Sequence, residues 1–156
     1  MTILTASLES SRVAISGRCQ VLVNYDKSFA GALLAARADG RADQDVTEIH
    51  FPPSREGVEE QTMALFSSKS RTQELWIKQK MGEKGYRPAT REEIFAYAAD
   101  NPKFRKALVA LGARWVSERT PYALAIVSRG GTRLVSVQYA LSIFPPGTFF
   151  LGVEIS

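Results

Sequence analysis

The sequence predicts an α+β domain: an antiparallel sheet with two or three helices and a C-terminal β-meander. Three observations predict it. Short alternating apolar runs open the chain over residues 12–25 and dominate it after residue 108. Two helical patterns lie back to back between residues 70 and 100, divided at Gly85. The pairs Gly130-Gly131 and Pro146-Gly147 mark reversals between the late strands. With 156 residues, 45% of them apolar, and no linker or internal repeat, residues 1–156 make one domain able to bury a core.

The elements follow in chain order. Val13, Ile15, Val21, Leu22, Val23 and Tyr25 give one or two strands, broken at Gly17-Arg18. Asp26 or Ser28 caps a short helix through Phe29, Leu33, Leu34 and Ala36, which stops near Gly40. Residues 39–57 lose all periodicity and include Pro52-Pro53, so they form the longest loop. Val58 to Phe66 is a strand with Met63 and Leu65 on one side. Ser70 with Gln73 reads as a capping box for a helix through Leu75, Trp76, Ile77 and Met81, ended by Gly85.

Pro88 then forces an extended approach to a second helix. Thr90 caps it, Glu93 answers three residues later, and Ile94, Phe95, Ala98 and Ala99 form its apolar stripe before Asn101-Pro102. Phe104 and Leu108 suggest a helical turn. Strands over 108–116, 122–128, 133–139 and 148–155 complete the chain.

Composition narrows the chemistry. One cysteine, Cys19, and one histidine, His50, cannot build a zinc site, so no metal is expected. Cys19 reads as a small core residue rather than a nucleophile, and His50 as a solvent-exposed imidazole in the acidic loop. No glycine-rich phosphate loop is present, and no cofactor is expected. Glu59-Glu60 and Glu92-Glu93 are adjacent pairs whose side chains point apart, so no catalytic residue is assigned. No apolar run reaches the roughly 18 residues of a membrane span, and Met1–Thr5 lacks a secretory pattern. With a lone cysteine, this predicts a cytoplasmic protein without a membrane partner.

Charge is divided unevenly within a net of +4. Residues 39–60 carry seven acidic against two basic side chains, and residues 67–91 seven basic against two acidic. Two compensating solvated faces explain this more simply than a binding patch does. Trp76 on its helix and Trp115 on its strand are likewise expected in the core more readily than at a surface. Even so, a binding surface is easier to build from these residues than an active site. Tyr86, Arg87, Arg91, Arg114 and Trp115, with Lys80 and Lys84, interleave aromatics and cations suited to stacking or to gripping acidic groups.

Residues 85–98, Gly-Tyr-Arg-Pro-Ala-Thr-Arg-Glu-Glu-Ile-Phe-Ala-Tyr-Ala, resemble a pattern in small uncharacterised bacterial and phage-type proteins. In those, an apolar strand like Val109-Ala110-Leu111-Gly112 follows. The resemblance implies an order of elements and no activity. The same segment distantly resembles the Gly-Tyr-Arg-Leu-Pro-Thr helix of formylglycine-generating-enzyme and C-type-lectin-like domains. That implies a capped helix feeding a β-rich half. The chain departs from it at Pro88-Ala89-Thr90 and lacks the paired active-site cysteines and the calcium motif. A lectin-like fold would therefore come without either chemistry.

Three functions remain. The first is a non-catalytic interaction protein whose macromolecular partner is a protein. The second is a nucleic-acid or nucleotide binder using the basic 67–91 stripe. The third is an enzyme whose carboxylates meet only in the fold.

Overall fold

The computed structural model describes residues 12–156, so Met1–Thr5 lies outside the described residues. It is α+β, with three helices packed on a mostly antiparallel eight-stranded sheet among those residues. No helix among them is long and apolar enough to cross a membrane.

Strand β1 (Val13–Asn24) pairs along β3 (Val58–Ser68), interrupted by an irregularity between Ser16 and Cys19 where Gly17 takes φ +60°. The expected break at Gly17-Arg18 is therefore a bulge within one strand. Ser28 caps α1 (Phe29–Arg37), its Oγ accepting from Gly31 N–H at 3.1 Å. Asp26, the other candidate cap, accepts instead from Gly57 N–H at 3.1 Å.

The 39–57 loop is not detached from the fold. It carries β2 (Arg41–Ala42), parallel to β7 (Thr132–Tyr139), and sinks Val46 and Phe51 into the core. Two apolar anchors fix a segment that shows no periodicity.

Helix α2 (Glu74–Glu83) starts later than its sequence suggested. Gln73 occupies the cap position without a side-chain bond, Thr72 bridges Phe144, and Ser70 pairs with Ser68. The Ser70–Gln73 capping box does not form, because the strand ladder holds that backbone extended until residue 73. Gly85 does end the helix segment, at φ +80°.

Helix α3 (Arg91–Asp100) follows β4 (Tyr86–Pro88). The expected capping box is present, with Thr90 N–H donating to Glu93 Oε1 at 2.8 Å and the Thr90 side chain turned to the Glu93 backbone N–H. Phe104 closes a turn, its N–H donating to the Asn101 carbonyl at 3.1 Å, and Leu108 opens a strand.

Strands β5 (Leu108–Ser117), β6 (Thr120–Arg129) and β7 form the expected meander. Strand β8 (Phe149–Glu154) returns to the middle of the sheet, antiparallel to β3 and parallel to the start of β5. Beyond Val109, β5 leaves β8, and β4 takes its place beside β8. Gly112 receives Ala89 at that splay. A Cβ there would sit 2.6 Å from the Ala89 carbonyl oxygen.

Side chains alternate between two cores, one on each face of the sheet. Met63, Leu65, Leu108, Ala110, Leu124 and Leu151 face α1 and α3. Ala64, Phe66, Val109, Leu111, Ala125 and Phe150 face the core of Ile77 and Met81 from α2. Burial of both faces explains why these strands read as continuous apolar runs. Arg133 is buried below α1 and α3, donating to the Ala36 carbonyl at 2.8 Å and the Ala98 carbonyl at 2.7 Å. One guanidinium thus satisfies the C-terminal carbonyls of two helices.

Candidate functional site

Two hairpins align three aromatic rings at one end of the sheet. The β5–β6 turn places Trp115 opposite Tyr122, and the β6–β7 turn places Tyr122 opposite Tyr139. Directly paired residues share a face, so the three side chains form one row across three strands. This is the α1/α3 face, continued outward from Leu124 and Val137. Trp115 and Tyr122 stack with centroids 5.4 Å apart and are half-buried, while Tyr139 is 45% exposed.

The acidic loop supplies the fourth ring. His50 stacks on Trp115 with centroids 3.7 Å apart and planes 10° from parallel. Its Nδ1 lies 2.8 Å from the Asp45 carbonyl oxygen. The expected free imidazole is thus half-buried, because Phe51 anchors the loop beside β5. Asp43 holds the other end of the loop to β7, where Ser136 Oγ donates to its carboxylate at 3.2 Å. Ile49, next to His50 in the loop, is 90% exposed. The site is therefore a wall of stacked rings beside a loop rich in acidic residues.

The residues singled out by sequence are scattered. Trp115 joins the row and is neither fully core nor fully exposed. Tyr86 is buried, edge-on to Phe66 at 5.4 Å, and does not reach the surface. Arg114 is half-buried and ion-pairs through Nη1 with Glu74 Oε1, which also holds Lys78 Nζ at 2.5 Å. Lys80 is half-buried, 3.9 Å from Glu83, and Lys84 is exposed at the end of α2. Trp76, expected in the core, is half-buried like Trp115.

Arg87 meets Glu93 with both oxygens engaged, Nη1 at 2.8 Å and Nη2 at 2.7 Å. Tyr25 Oη also donates to Glu93, at 2.6 Å, and accepts from Gln61 at 3.0 Å. Burial pushes the Tyr25 phenol up to about 12, and its bond to Glu93 adds to the shift. Burial alone would raise the Glu93 pKa. Bonds from Arg87, Tyr25 and the Thr90 backbone outweigh it and hold the carboxyl below its usual range. Glu93 is thus a fully engaged structural anion.

Arg91 is only 4% exposed and belongs to no open surface, because the loop and α1 close over it. Its guanidinium lies over the Phe29 ring at 5.0 Å. Neighbouring Glu92 is also buried, and accepts from Ser54 N–H at 2.9 Å and Ser54 Oγ at 2.6 Å.

Glu92 and Asp100 are too far apart to act as a catalytic pair. Glu92 and Asp100 both line the cleft between α1 and α3. They stand eight residues apart on one helix, about 12 Å along its axis, too far to flank one reacting bond. Burial, then Asp100, pushes the Cys19 thiol up, the reverse of an activated nucleophile.

No family model, no curated protein and no solved structure matches the chain.

Proposed function

We propose that the protein is a non-catalytic binding module that docks a basic segment of a protein partner on the aromatic row beside the acidic loop. The in-register alignment of Trp115, Tyr122 and Tyr139 carries this reading. Aromatic side chains offer large apolar area at small entropic cost and attract cations over their faces. Asp39 and Asp45 on the adjoining loop add negative charge that favours lysine or arginine and repels phosphate. The exposed Ile49 and Tyr139 provide apolar contact.

The basic 67–91 stripe offers less to a nucleic acid than its charge count suggests. Lys78 is paired with Glu74, Lys80 faces Glu83, Arg87 is taken by Glu93, and Arg91 is buried. Lys69, Arg71 and Lys84 remain at its surface.

The test is capture from host lysate, with and without nuclease, using the intact protein and two variants. Tyr122→Ser with Tyr139→Ala should abolish recovery of a nuclease-resistant protein. Lys69→Gln, Arg71→Gln and Lys84→Gln together should leave it unchanged. Loss on nuclease treatment, or loss with the lysine and arginine variant alone, would move the function to nucleic acid, with its steep salt dependence.

A further inference from the structure

The two edges of the sheet are finished differently. At one edge β2 is only two residues long, and the 39–57 loop continues past it, Asp43 N–H donating to the Val135 carbonyl of β7 at 2.7 Å. At the other edge β1 runs for twelve residues and, among the described residues, pairs with β3 alone. The irregularity between Ser16 and Cys19 and the charge of Arg18 guard its first half, but residues 19–24 contain no charge, proline or bulge. Tyr25 N–H donates to the Gly57 carbonyl at 2.8 Å, so Val21, Val23 and Tyr25 turn their backbone groups toward β3. Gln20, Leu22 and Asn24 therefore present theirs at the open edge.

We propose that this edge pairs with β1 of a second copy of the chain, antiparallel about a two-fold axis at Leu22. The edge reads nearly alike in both directions, Gln20-Val21-Leu22-Val23-Asn24. Antiparallel pairing centred on Leu22 sets Leu22 against Leu22, valine against valine, and the Gln20 amide against that of Asn24. A two-fold contact requires this self-complementarity. The two Leu22 residues exchange both backbone bonds, and each Asn24 N–H donates to the other copy's Gln20 carbonyl. Leu22 is 65% exposed between two fully buried valines, and the second copy's Leu22 covers it.

Charge favours the same orientation. The cleft between α1 and α3 borders this edge, and Leu22, Asn24, Lys27 and Asp100 all line it. Lys27 follows the Asn24 end of the segment, whereas the charge of Asp100 acts on Cys19 at its start. The two-fold lays the Asn24 end of one copy along the Cys19 end of the other, and so carries each Lys27 toward the other copy's Asp100. Parallel pairing would set like charges together instead. Because the opposite edge is short and covered by the loop, the assembly closes at two copies. In the strand order β1 is separated from the aromatic row on β5, β6 and β7 by β3 and β8, so the pairing stands even if the row binds nothing.

The test is sedimentation equilibrium of the full chain over a wide concentration range, beside Leu22→Lys, which sets two ammonium groups against one another at the axis. A monomer–dimer equilibrium is expected, weakened roughly a hundredfold in Leu22→Lys by like charges meeting at the contact. Leu22 is exposed, so the variant should keep the circular dichroism of the parent. Register is read by cross-linking in a Cys19→Ser background. Leu22→Cys should form a covalent dimer on mild oxidation, because directly opposed, hydrogen-bonded residues hold their Cα atoms about 5.5 Å apart, within disulfide reach. Gln20→Cys should cross-link to Asn24→Cys in a mixture faster than to itself. A parent monomeric at every concentration, equal dimerisation by Leu22→Lys, assemblies larger than two, or Gln20→Cys linking to itself as fast as Leu22→Cys does would overturn the pairing.

Discussion

Arg87 and Glu93 face one another across the turn into α3 as a two-point ion pair, at 2.8 and 2.7 Å, with the Glu93 carboxylate fully buried. Tyr25 brings β1 into the same contact. The bond set therefore ties the edge of the sheet, the short β4 and the start of α3 together. Replacing Glu93 with Gln should destabilise the protein by about 3 kcal/mol, because it leaves a desolvated guanidinium without its anion. Urea unfolding measures this, and a loss below about 1 kcal/mol would mean the pair is peripheral.

Acid sensitivity follows from the same residue. Glu93 and Glu74 both have pKa values below the ordinary 4.5, so each binds its proton less readily folded than unfolded. At Glu74, burial opposes the shift, and Lys78 and Arg114 overcome it. Their contribution is complete above pH 4.5 and is lost as pH falls through the lower folded values. Stability measured from pH 6 downward should therefore begin to drop near pH 4.5. Glu93→Gln should flatten that drop, and an unchanged slope would contradict the assignment.

Arg133→Met tests the clamp beneath α1 and α3. It strips the Ala36 and Ala98 carbonyls of their donor in a buried setting, and should cost about 3 kcal/mol. Amide exchange should rise first at the C-terminal turns of both helices. Arg133→Lys, with a single donor point, should recover only part of the loss.

Much of the helical half was legible because its signals are local. Gly85, Thr90 and Glu93 lie within nine residues, and each occupies the position its chemistry requires. The failures came where distant partners decide. Ser70 and Gln73 have a cap's spacing, but pairing between Thr72 and Phe144 holds the chain extended. Tyr86 and Arg91 sit in a cationic, aromatic stretch that looked exposed until β4 and the 39–57 loop were placed around it.

The aromatic row was hidden in hairpin register. The Gly130-Gly131 turn pairs Arg129 with Thr132, and counting back along both strands pairs Tyr122 with Tyr139. That signal was present in the sequence. The other turn gave none: Glu118 and Arg119 adopt φ +49° and +67° without a glycine.

Both central positions of the turn lie in the left-handed region that Asn-Gly favours. Glu118→Asn with Arg119→Gly should raise stability by about 1 kcal/mol without changing register, since the left-handed conformation costs other L-residues about that much or more. A shift of Trp115 fluorescence in this variant would show instead that the register had moved.

On the proposed function, the row and the acidic loop beside it recognise a basic segment of protein. The most direct test is selection from a random-peptide library against the parent and against Tyr122→Ser with Tyr139→Ala. Peptides enriched in lysine or arginine beside proline or aromatic residues are expected, retained by the parent and lost by the variant. Enrichment of acidic peptides, or equal enrichment on both proteins, would contradict it.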